Sequence, residues 1–173
     1  MTELRDGSES SRTIGRSRAI ALLIAAPASS IVLVPLLYLA VNPWLPSRAV
    51  VHVGTDSVEY GSLSLLLAGA CSLAAVAFII GGATARGFLK ESHWYQTEKS
   101  IAVGMEAGGF GLIGFAVASI LAIVGVAPNE VSSDSVGWGL LGFVSLFIAA
   151  ICAYVVFLPR AQIETLATDD SSL

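Results

Sequence analysis

Charge is what this chain has least of. Only 13% of its 173 residues are Asp, Glu, Lys or Arg, about half the roughly 25% of an ordinary soluble domain. That shortage excludes a soluble globular domain and a disordered chain. A net charge of −4 also excludes a nucleic-acid-binding module, which needs clustered Lys and Arg. Cysteine is nearly absent: two residues make no disulfide framework. Cys71 and Cys152 both lie in apolar stretches and are expected to be buried packing residues. The two His, His52 and His93, stand alone, so no metal site and no cofactor is expected. Catalytic signatures are missing too. There is no HExxH, Walker A or GxGxxG-after-strand pattern. No Ser-His or Cys-His pair shares a plausible depth, so an enzyme is not expected.

What the chain has is length without polarity. Residues of the AVILMFWYC set make up 55%, in four runs at about 19–41, 63–82, 101–126 and 137–158. Each meets the requirement of about 20 residues for a bilayer core. None alternates with period 2, so they read as helices and not as barrel strands. In lipid, a helix satisfies its own backbone. The expected fold is an all-α integral membrane protein, a four-transmembrane-helix bundle over residues 18–160. Residues 1–17 and 161–173 lack apolar periodicity and read as disordered tails. The first run is too long for the apolar core of a signal peptide, so it reads as a retained anchor.

Eight of the nine basic residues fall on one side of this arrangement: Arg5, Arg12, Arg16, Arg18, Arg86, Lys90, Lys99 and Arg160. Arg48 alone falls on the other. The positive-inside rule then predicts a multi-pass protein of the cell membrane with both termini cytoplasmic. The outer loops carry Asp56, Glu59, Glu130 and Asp134. Aromatics fall at the run ends, Trp44, Tyr60 and Trp138 outside and Trp94 and Tyr95 inside, as an interface belt requires. The excess of Arg over Lys and the acidic tails resemble proteins of prokaryotes with GC-rich genomes, halophilic archaea among them.

One internal echo stands out. Asp56-Ser-Val-Glu-Tyr-Gly61 matches Asp134-Ser-Val-Gly-Trp-Gly139 at an offset of 78 residues, and each segment leads into an apolar run. A duplicated helical hairpin would produce this. So would two independent helix caps followed by interface aromatics. Each run also carries a stripe of small residues suited to close helix packing. These are Ala21, Ala25 and Ser29; Ala70, Ala74, Ala77 and Gly81; Gly104 and Gly108, followed by Gly109, Gly111 and Gly114; and Ser145, Ala149 and Ala153. The stripes serve either the monomer or a homo-oligomer. Pro27 and Pro35 each remove a backbone donor from the first run and kink it. Ser29 and Ser30 are placed to satisfy the carbonyls that Pro27 frees.

Glu106 is the one carboxylate well inside an apolar run. It lies roughly 10 Å deeper than Lys99 along a helix. An intramembrane carboxylate is a candidate ion or proton site by default. The competing expectation is an interfacial group paired with Lys99, Lys90 or Arg86. The polar stretch 86–99, with aromatics and both signs of charge, connects the second and third runs at the interface. Function follows in the same two directions. With no catalytic motif, the leading expectation is a non-catalytic accessory or structural membrane component. Its partners would be the lipid bilayer and either a membrane protein or a second copy. The alternative is a small transporter or channel that uses Glu106.

Overall fold

The computed structural model describes residues 17–46, 48–53, 58–91 and 94–161. The calls on both tails, Arg5, Arg12, Arg16, Asp56 and His93 lie outside these residues. Each apolar run is a helix, because a long run without polar partners must close its hydrogen bonds internally. Helix α1 spans Ser17–Trp44, α2 Leu63–Thr84, α3 Arg86–Glu91, α4 Gln96–Ile123 and α5 Asp134–Phe157. Four of them, all but α3, are long and apolar enough to span a membrane. They run up and down, so Arg18, Arg86, Lys90, Lys99 and Arg160 gather at one end of the bundle, here the terminal end. Arg48 is at the opposite end.

Helix α4 is the central element. Over its most apolar stretch 56% is buried, against 11% for α5 and 17% for α1. It packs along α5 and against α2, whereas α1 makes the smaller contacts, shared between α4 and α2. The α4–α5 contact is backbone against backbone. A Cβ on Gly114 would strike the Gly142 carbonyl, and one on Gly142 would strike Ala118 Cβ and the Gly114 carbonyl. Gly109 and Gly111 leave room for the rings of Phe78 and Phe143, and Gly139 for Phe115 and Ser119 Oγ.

Within the single chain, packing falls on other small residues than those expected. Gly104 and Gly108 face open space, and Ser145 and Ala149 are exposed while Ala153 is half-buried. The GxxxG spacing is right, but the buried face of α4 is rotated onto Gly109, Gly111 and Gly114. On α1 the stripe also shifts: Ala21, Ala25 and Ser29 are exposed, and Ala19, Leu23, Pro27 and Val34 are buried. The α2 stripe holds, with Ala70, Ala74, Ala77 and Gly81 all inside. Cys71 is half-buried, and Cys152 is exposed instead of buried.

Helix ends differ from the apolar limits for a plain reason: hydropathy marks where side chains become polar, not where the backbone stops being helical. Helix α4 starts at Gln96, before Ile101, because Glu98 folds back to accept the Tyr95 N–H at 3.1 Å, half of a capping box. It stops at Ile123, before Val126, where Gly125 turns to φ +75°. The Ser62 hydroxyl caps α2, accepting the Leu65 N–H at 3.4 Å. At the terminal end the Lys99 ammonium donates to the Pro159 carbonyl at 2.8 Å, just past the end of α5. A cation at a helix C-terminus is favourable.

The all-α expectation also misses a β-hairpin between α1 and α2. Strands β1 (Arg48–Val53) and β2 (Val58–Ser62) pair antiparallel, with Arg48 opposite Ser62 and a register shift between Val50 and His52. Ala49 and Val50 cap the core formed by Leu63, Ile120, Ile123 and Val131. Tyr60 Oη donates to the Val131 carbonyl at 3.2 Å, fastening the hairpin to the α4–α5 loop. The hairpin changes the reading of the repeat. Val58–Gly61 is strand, whereas Asp134–Gly139 is the opening of α5. Over their described residues the two segments match in sequence and not in local structure, and the cap of α2 is Ser62.

Candidate functional site

Pro27 is where the site begins. It has no N–H to return to the preceding turn. The chain responds by widening Ala21–Ala25 into a π turn, in which the Ala26 N–H reaches back five residues to the Ala21 carbonyl. In that register the next donor would be the N–H of residue 27, and it would serve Leu22. Proline leaves the Leu22 carbonyl without a main-chain donor. Such turns occur often at functional positions. Ser29 and Ser30 do not serve it: their hydroxyls donate to the Ala26 and Pro27 carbonyls at 2.9 and 2.8 Å. The donor comes from α5 instead. Tyr154 Oη, 2% exposed, donates to the Leu22 carbonyl at 2.9 Å.

Glu106 lies beside this bond. It is 0% exposed, about 15 Å along α4 from Gln96 and about 26 Å from Ile123 at 1.5 Å per residue. Its Oε2 is 3.5 Å from Tyr154 Oη, the outer limit of a hydrogen bond. Its Oε1 has no hydrogen-bond partner among the described residues. The carboxyl fits only because α2 presents Gly81. A Cβ there would lie 2.8 Å from Oε1. So α1 contributes a freed carbonyl, α2 a gap, α4 the acid and α5 a hydroxyl. Phe110, one turn further along α4, sets its ring centroid 5.1 Å from Phe78 and 6.4 Å from Tyr154.

The candidate charge partners are elsewhere. Lys99 turns away to Pro159 and lies over the Trp94 ring, 5.8 Å from its centroid. Arg86 and Lys90 are exposed on α3. Among the described residues no cation meets the Glu106 carboxyl, and no three His, Cys, Asp or Glu side chains gather into a metal-binding set. Sequence reasoning missed Tyr154 and the Leu22 carbonyl. The available signals were a phenol well inside an apolar run, which needs a partner when buried, and a proline five residues after Leu22.

Two apolar grooves flank the Leu22–Ile31 part of α1. One, of about 570 Å³, lies between α1 and α2 and reaches from Ile31 to Arg86. The other, of about 230 Å³, lies between α1 and α5 and is lined by Leu22 and Tyr154. The class defined by these features is a bundle of four apolar helices around one buried acid. No family of known proteins, no curated protein and no solved structure matches the chain.

Proposed function

We propose that this protein is a small multi-pass membrane transporter in which Glu106 is the ion or proton site. The observation that carries the reading is the convergence of all four long helices on a fully buried carboxyl that has no cationic partner among the described residues. An intramembrane ionisable group is costly and is retained where it serves an ion pathway. A carboxyl kept only for structure would be expected to bond a basic group or to turn outward. The apolar grooves beside α1 suit lipophilic solutes. The accessory-component reading leaves the orphaned Oε1 without a role.

Transport is tested with purified protein in liposomes loaded with a pH dye, challenged with a panel of lipophilic amines and acids. The expected result is solute-dependent proton movement that Glu106→Gln abolishes. Equal movement in that variant, or none with the parent, would overturn the reading.

We also propose insertion in the cell membrane with both chain ends cytoplasmic. The support is the gathering of basic residues at the terminal end, with Arg48 alone opposite. A reporter active only in the cytoplasm should work when fused after Leu173 and fail when inserted between Val53 and Val58. The reverse pattern sinks the orientation.

A further inference from the structure

We infer that the ligand of this site is a proton held on Glu106, and that Tyr154 passes its presence to α1. This deepens the transporter reading and rests on Glu106 being its working group. The argument is an accounting of hydrogens. Tyr154 has one hydroxyl hydrogen, and the short bond to the Leu22 carbonyl uses it. Toward Glu106 the phenol then presents lone pairs. Oε2 and Oη stand 3.5 Å apart, the outer limit of a hydrogen bond, and with the phenol hydrogen committed to Leu22 a bond there takes its hydrogen from Glu106. A neutral carboxylic acid donates from Oε2 to Tyr154 Oη and leaves Oε1 a weak acceptor. A carboxylate would have about four lone-pair sites and no donor.

The surroundings agree from every side. Among the described residues, Leu22 and Leu23 on α1 and Gly81 on α2 bring no titratable group. Tyr154 is the one from α5. Lys99 on α4 is engaged with Pro159, and Arg86 and Lys90 on α3 are exposed. A metal ion does not fit. Oε1 lies against Gly81, the Leu22 and Tyr154 oxygens are already in hydrogen-bond contact, and Glu106 lines neither groove.

Loss of the proton has a defined consequence. The proton leaves Oε2 for water. The remaining carboxylate is the stronger acceptor, since a charged partner roughly doubles a hydrogen bond. Tyr154 therefore turns its hydrogen to Glu106, and its bond to Leu22 breaks. Pro27 offers no replacement, so α1 loses its polar tie to α5, while the Gly125 N–H still holds the Trp44 carbonyl at its far end. Helix α1 has a groove on either side of it, which leaves it room to shift. Tyr154 is a positioning residue in this scheme, with one hydrogen shared between two acceptors.

The test uses the full chain in phosphatidylcholine–phosphatidylglycerol nanodiscs. Infrared difference spectra between acid and alkaline buffer should show a carboxylic-acid carbonyl band. The band should be absent in Glu106→Gln and shifted in Tyr154→Phe. Spin labels on Ile24→Cys and Val155→Cys, with Cys71 and Cys152 replaced by Ala, should report a pH-dependent α1–α5 distance. That dependence should vanish in Tyr154→Phe and in Glu106→Gln. A band unchanged in Glu106→Gln, a band displaced by sodium at fixed pH, or a distance change surviving in Tyr154→Phe would overturn the inference. An acid band without transport would overturn the transporter reading alone. Glu106-dependent transport without the band would overturn this inference alone.

Discussion

Replacing Gly142 by Val is expected to destabilise the bundle by about 3 kcal/mol, the upper part of the usual range for overpacking. The cause is the nature of the neighbours. A Cβ at Gly142 meets the Gly114 carbonyl and Ala118 Cβ, and one at Gly114 meets the Gly142 carbonyl and Leu146 Cβ. None of these is the far end of a flexible side chain, so relief requires the two helices to separate. Separation would loosen the most extensive helix contact in the molecule. Gly104→Ala is the control. It meets nothing within 4 Å, and Ala gains about 1 kcal/mol over Gly in a helix interior. It should match or exceed the parent. Reversible unfolding in mixed micelles, followed by tryptophan fluorescence, measures both. Equal stability of the two variants would refute the packing argument.

The same glycines show what one dimension conveys. Gly104-x-x-x-Gly108 and Gly109, Gly111 and Gly114 are equally visible in the sequence. Which set is buried depends on the rotation of α4 against α2 and α5, and Phe78, Phe143 and Gly142 decide that rotation. Their positions relative to α4 are not written in its own periodicity. The four apolar runs were legible because lipid length is a property of composition alone. The β-hairpin was not, because β1 is six residues long and a register shift after Val50 breaks its alternation. Glu106 was legible as an isolated acid in an apolar run. Its surroundings were not: Tyr154 is 48 residues away and Leu22 is 84 residues away. The strongest local clue was Pro27, read as a kink. Its larger effect is chemical, a carbonyl left without a donor at the place where the acid and the phenol meet.

Glu106→Met should make the protein more stable and inactive. Methionine has nearly the length and shape of the glutamic acid side chain, so it enters the space that Gly81 leaves without overpacking. It removes Oε1, which is buried without a partner, and such a group costs about 1–3 kcal/mol. The bond it gives up is long, 3.5 Å, and contributes little. A gain of about 1–3 kcal/mol is therefore expected, with transport lost. Tyr154→Phe should move the other way, by a loss of similar size, because it orphans the Leu22 carbonyl beside Pro27. Neighbouring substitutions of opposite sign separate the two roles. The phenol holds the fold together, whereas the acid strains it. A protein tolerates a strained group where activity requires it. If Glu106→Met instead weakens the bundle as much as Tyr154→Phe does, the acid is a structural member of the network and the proton site falls with it.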